Sequence, residues 1–148
     1  MLKIPPPIWA FLYLALAGAV SAAYPWKPIA SPAAVPLGIV LVVTGFTISF
    51  LSMSLFLRRG AQLNPASESH ATLVTNGPFR FTRNPMYLGL VVLTLGIAFW
   101  VGSLPMFAVP LLVFATTNWV HIPYEEARMR REFGEAYETY GARTRRWL

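Results

Sequence analysis

Three long stretches of the chain carry no charged side chain: 4–26, 28–57 and 84–124. About 20 consecutive apolar residues cross the hydrocarbon core of a bilayer. The first two stretches therefore predict one membrane-spanning helix each, at about residues 8–23 and 37–57. The third is long enough for two, at about 85–101 and 105–122, joined by the turn Gly102-Ser103-Leu104-Pro105. A linker that short makes those two helices antiparallel neighbours. The expected fold is all-α and polytopic, with four transmembrane helices in a single domain over residues 1–148 and a C-terminal cytoplasmic amphipathic helix.

The charges support this reading by where they fall. With 12% of 148 residues charged and 55% hydrophobic, the chain cannot clothe a soluble globule of its size. Four spans place both ends on one side, and that side holds Lys3, Arg58, Arg59, Arg80, Arg83 and the six arginines after position 124. Only Lys27 lies opposite, so the positive-inside rule puts both termini in the cytoplasm, as for a multi-pass protein of a prokaryotic inner membrane. A net charge of +6 raises nucleic acid as a partner, but basic residues that flank spans are met by anionic lipid heads. Lys3 with the apolar run up to Val20-Ser21-Ala22 also has the form of a secretory signal; it is read here as a retained first span. No cysteine is present and only two histidines, His70 and His121, so thiolate chemistry and a histidine metal cluster are excluded.

Within the spans, small residues recur. Gly38, Gly45, Ser49, Ser52 and Ser54 punctuate the second helix, and Gly89 and Gly96 fall seven apart on nearly one face of the third. Such positions let another helix, or a ligand, approach the backbone. After Pro123 the composition turns charged, with Met129, Phe133, Tyr137 and Tyr140 as an apolar stripe. That pattern reads as an amphipathic helix lying along the membrane surface, with Arg143, Arg145, Arg146 and Trp147 as an anchor on anionic lipid. Glu68 and His70, in the polar loop of residues 60–76, read as solvated.

One junction carries chemistry. Asn84 can cap the third helix with its side chain, and Pro85 suits its first position, because proline presets φ and lacks an N–H that would be unpaired there. The unpaired amides and positive dipole end then face whatever lies beside Arg80 and Arg83, which makes an anion site. Glu125 falls on the buried stripe where the fourth span emerges, and a carboxylate there needs a partner: Arg80, Arg83 or the polar end of a ligand. Asn118 and His121 lie on adjacent positions near the same edge.

The spaced elements G-P-F-R-x-x-R-N-P-x-Y-x-G (Gly77, Pro78, Phe79, Arg80, Arg83, Asn84, Pro85, Tyr87, Gly89), then Glu125-Glu126 and F-G-x-x-Y-x-x-Y, resemble one family over residues 73–140. That family is the isoprenylcysteine carboxyl methyltransferase and phospholipid methyltransferase group of integral membrane enzymes. Asn84 stands where many members carry His, and His121 where relatives often have Arg; the chain also stops at Leu148, where longer relatives continue. The resemblance implies S-adenosylmethionine as cofactor, held by the motif residues just named together with His121, Glu125 and Glu126. Arg80, Arg83 and the helix start would take its carboxylate, Glu125 and Glu126 its ammonium or ribose, and Phe79 and Tyr87 would pack on its apolar parts. Gly89 belongs to the part of the motif that approaches the cofactor.

With no G-x-G-x-x-G and no alternation of strand and helix, a Rossmann-type cofactor domain is excluded. Tyr87 and Glu125, with Glu126 beside them, are the nearest candidates for a base. The implied acceptor is a lipophilic small molecule reached from the membrane lipid: a prenylcysteine-like carboxylate, a lipid amine or a hydrophobic thiol. A nicotinamide-dependent reductase of the sterol-reductase type shares the C-terminal resemblance, and a non-catalytic membrane scaffold is the remaining alternative.

Overall fold

The computed structural model describes residues 4–24, 26, 28–58 and 73–148. Lys3, Lys27, Arg59, Glu68 and His70 lie outside the described residues, as does the polar loop up to residue 72. Among the described residues every regular element is helical: α1 Pro6–Ala23, α2 Val35–Arg58, α3 Pro85–Val101, α4 Leu104–Thr116, α5 Ile122–Phe133 and α6 Glu135–Arg143. Turns of 3-10 helix precede α2 (Pro32–Ala34) and α3 (Gly77–Arg80). A π turn, Thr117–His121, joins α4 to α5.

Three helical stretches are long and apolar enough to cross a membrane: Pro6–Ala23, Pro32–Arg58 and Leu104–Phe133. α3 is equally apolar but has 17 residues, a rise of about 26 Å against a hydrocarbon core of about 30 Å. Its end is fixed by Gly102, whose φ of 73° only glycine adopts freely and whose N–H bonds to the Ala98 carbonyl at 2.8 Å.

The expected break before the charged segment is absent. Helix runs on for 30 residues from Leu104 to Phe133. Pro123 lacks an N–H and its ring crowds the carbonyl one turn back, yet the chain widens the preceding turn instead of ending: the Ile122 N–H bonds to the Thr117 carbonyl, five residues earlier. The break falls at Gly134, with φ of 50°, so the charged segment is two helices and not one.

Two kinds of packing hold the bundle. α3 lies at its centre, against α2, α4 and α1. Against α2 it meets backbone to backbone. A Cβ on Gly45 would lie 2.5 Å from the Gly89 carbonyl oxygen, and one on Gly38 would lie 2.8 Å from that of Gly96. Both pairs are seven residues apart on antiparallel helices, so their glycines meet in two successive layers, and Ser49 Oγ seals the crossing by donating to the Met86 carbonyl at 3.0 Å. Between α1, α3 and α4 the packing is by side chains, with Ala10, Ala17, Ala98, Met106, Val109 and Val113 buried together. Tyr13 and Thr116 pair their hydroxyls there at 2.8 Å, as do Ser21 and Ser103. The outer faces stay apolar: Phe11, Phe46, Phe50 and Leu111 are all exposed.

The glycine layers give a controlled test. Gly45→Ala should cost about 1–3 kcal/mol through overpacking, because the atoms it meets are backbone. Gly18→Ala, whose Cβ would sit 3.6 Å from the Met106 methyl, should be neutral. Reversible unfolding in mixed detergent micelles measures both; equal stability of the two variants would refute the close crossing.

Candidate functional site

At one end of the bundle, the start of α3, the end of α2, α5 and α6 surround a partly open cavity. Concave, largely apolar sites with a few polar groups suit small ligands. Its lining is apolar on most sides, with Phe56, Val74, Phe79, Met86, Met129, Phe133, Tyr137 and Tyr140, and it holds Arg83, Tyr87, Glu125 and Glu126 as well.

The two adjacent glutamates have different surroundings. Glu125 accepts a short hydrogen bond from the Tyr87 hydroxyl, which crosses from α3 to α5. Glu126 is 4% exposed and is the hub of the basic residues. Arg146 reaches it with both arms of its guanidinium, Nε to Oε1 at 3.1 Å and Nη2 to Oε2 at 2.7 Å. Arg83 stands 3.5 Å from Oε1, and Arg130 3.9 Å from Oε2. Arg83 takes no full share of this cluster: its Nε–H is buried without a partner.

The residues after α6 close the structure around that hub. The Arg145 carbonyl accepts from the Arg83 N–H at 2.9 Å, and the Arg146 carbonyl accepts from Thr82 Oγ1 and Asn84 Nδ2, each at 3.0 Å. Trp147 donates to Asn118 Oδ1 at 3.0 Å and its ring lies 4.7 Å from that of Phe114. Arg146 and Trp147 thus point inward, against the expected anchor on lipid. Asn84 occupies the N-cap position of α3, but its side chain does not cap the helix; its amide is used on Arg146, and the Asn84 N–H is met by Thr82 Oγ1 at 3.2 Å.

The aromatic stripe is also redirected. Met129, Phe133, Tyr137 and Tyr140 face the cavity, the first two from α5 and the last two from α6 beyond the turn at Gly134. Tyr140 donates its hydroxyl to the Phe79 carbonyl at 2.6 Å. Burial, helped by Tyr137 and opposed by Arg83, pushes that hydroxyl up to about 12, so it stays a donor. Burial followed by the Glu126 carboxylate raises Tyr137 as well, against the pull of Arg83 and Arg130.

Of the residues singled out in the sequence, Phe79, Arg83, Asn84, Pro85, Tyr87, Glu125 and Glu126 line one cavity. The others lie elsewhere. Gly77, with φ of 60°, makes the turn over Leu55 at the end of α2 and leads into Pro78 at the start of the 3-10 turn. Gly89 is covered by α2, where Gly45 and Ser49 fill the space a ligand would need. Arg80 is exposed and faces a second hollow. His121, in the π turn, is buried outside the cavity with Nε2 unpartnered. Phe56, Val74 and Met86 escaped notice in the sequence because nothing distinguishes them from other apolar residues. Arg146 could have been found only as the unassigned partner that a buried glutamate requires.

An apolar helical bundle with a largely apolar, aromatic-walled cavity at one end, holding a few charged groups, is thus the class that fold and site define. The phospholipid methyltransferase family model matches residues 33–136, more than half of the chain. The chain belongs to the isoprenylcysteine and phospholipid methyltransferase family. A protein-S-isoprenylcysteine O-methyltransferase B of Arabidopsis thaliana is 33% identical over 82 residues, 51% of this chain and 39% of the relative. A probable protein-S-isoprenylcysteine O-methyltransferase of Oryza sativa is 31% identical over 112 residues, 70% of this chain and 55% of the relative. An uncharacterized protein of Haemophilus influenzae is 30% identical over 63 residues, 43% of this chain and all of that protein. The matched stretch spans about half or less of the plant relatives' length. No solved structure matches the chain.

Proposed function

We propose that the chain is a membrane-embedded, S-adenosylmethionine-dependent methyltransferase for a lipophilic acceptor. In this reading α1, α2, α3 and the α4 end of the long helix form four spans in one domain, with the cavity at the cytoplasmic edge. The single observation that carries it is the Tyr87–Glu125 pair inside a largely apolar, aromatic-walled cavity, in a chain of this family. The acceptor class follows the plant relatives' names: an isoprenylcysteine carboxylate, with a lipid amine or hydrophobic thiol as further members of the class.

The residues present fit the cofactor. Arg83 has a buried N–H to offer a carboxylate, Phe79 and Tyr137 offer aromatic faces, and Glu125 keeps a carboxylate for an ammonium or hydroxyl. When bound, S-adenosylmethionine supplies a methyl group on a positively charged sulfur. The chain's own part is placement. Tyr87 fixes the Glu125 carboxylate by donating to it, so the negative charge is held in one direction beside largely apolar walls, where it acts more strongly than in bulk water. Met129, Phe133 and Tyr140 keep water from the remaining walls. A carboxylate acceptor needs no base; for an amine or thiol, Glu125, with Tyr87 bonded to it, can receive the proton, whereas Glu126 is engaged by Arg146 and Arg83.

Isothermal titration of the detergent-purified protein with S-adenosylhomocysteine and with NADPH tests the reading. Binding of the homocysteine nucleoside alone is expected. Binding of NADPH alone would replace it by the reductase reading, and binding of neither by the scaffold.

A further inference from the structure

A second hollow shares Tyr140 with the cavity and is otherwise lined by Thr75, Arg80, Ala136, Thr139, Arg143 and Thr144. Arg80 ends the 3-10 turn before α3, and Arg143 is in the last turn of α6, so the two guanidiniums come from separate elements that the fold brings to one concavity. Three threonine hydroxyls accompany them, and no residue of the lining is acidic.

That composition is selective. Glu126 takes Arg83, Arg130 and Arg146, while Glu132 takes Arg128 and Glu138 takes Arg130. Among the described residues neither Arg80 nor Arg143 forms an ion pair. A hollow with guanidinium and hydroxyl donors and no carboxylate matches a group that is anionic and rich in acceptors, and guanidinium pairs with phosphate oxygens in particular. Phe81, next to Arg80, is 70% exposed. An exposed apolar residue next in sequence to an arginine of a basic concavity, at one end of an apolar helical bundle, suits a lipid whose head enters the hollow.

We propose that the hollow between Arg80 and Arg143 is a binding site for a phosphate group, that of an anionic membrane lipid. It is separate from the methyl-transfer reading and survives the loss of it, because binding alone is measured.

The full chain, purified in a mild non-ionic detergent, is titrated with dioleoylphosphatidylglycerol and read by native mass spectrometry, with dioleoylglycerol as the tail without phosphate and inorganic phosphate as the head without tail. The wild type should hold one phosphatidylglycerol at least about tenfold more tightly than R80Q/R143Q. R58Q/R131Q, which removes the same charge elsewhere, should bind like the wild type. Thr139→Glu, an exposed substitution that places a carboxylate in the hollow, should lose binding to the same extent and serves if the double variant does not fold. Displacement of the lipid by millimolar inorganic phosphate would keep the site and assign it to soluble phosphate. Wild-type binding by both R80Q/R143Q and T139E, equal loss in R58Q/R131Q, or equal retention of dioleoylglycerol would overturn it.

Discussion

Glu126→Gln should lower the stability of the protein without any ligand by about 3 kcal/mol, the low end of the range for breaking a buried ion pair. The low end applies because two of the three partners keep access to water: the side chains of Arg130 and Arg146 are 48% and 38% exposed, against 17% for Arg83. What remains costly is Arg83, which already has one buried N–H unpaired and would lose its carboxylate. Glu135→Gln, on the exposed side of α6, should change stability by less than about 0.5 kcal/mol. Equal thermal shifts for the two variants in the same detergent would show that Glu126 holds nothing together. The stability readout separates this role from cofactor contact, which would leave the unliganded protein unaffected.

Glu125→Gln should leave the fold in place and reduce methyl transfer about 100-fold, the lower bound for losing a positioned charged or proton-accepting group. Glutamine still accepts from the Tyr87 hydroxyl, so only the charge is removed. Tyr87→Phe should do less, about tenfold if it loosens the carboxylate by one hydrogen bond of roughly 1.5 kcal/mol, the low end for a bond to a charged group. Labelled-methyl incorporation into a total lipid and thiol extract measures both. Wild-type turnover by Glu125→Gln would remove the pair from the chemistry and leave it as a clamp between α3 and α5.

These expectations mark where the sequence was readable. The uncharged runs 4–26, 28–57 and 84–124 can hardly be anything but long helices in an apolar setting. The stripe of Met129, Phe133, Tyr137 and Tyr140 was readable as a stripe, but periodicity does not say what a stripe faces, and a membrane surface and a cavity wall ask for the same residues. Pro123 was a misleading boundary, since proline is tolerated in the first turn of a helix and the widened turn before it absorbs the clash. Gly134, at which the helix does end, was visible only as a letter in the F-G-x-x-Y pattern. Gly89 signalled close approach, and the matching seven-residue spacing of Gly38 and Gly45 identifies α2 as what approaches. Arg146 was hidden by distance along the chain: it lies 20 residues from Glu126, and no local rule brings the chain back.

The π turn at Thr117–His121 sets the phase of everything that follows it. It accommodates one residue more than a regular turn without rotating the helix beyond, so removing a single residue there should let an ordinary winding take its place with both carboxylates still in register. Forcing regular winding on all five would instead swivel Glu125 and Glu126 by about 100°, turning one off Tyr87 and the other off Arg83. A deletion in the midst of the bundle is thus the milder insult, and a tightened coil of unchanged length the more damaging one.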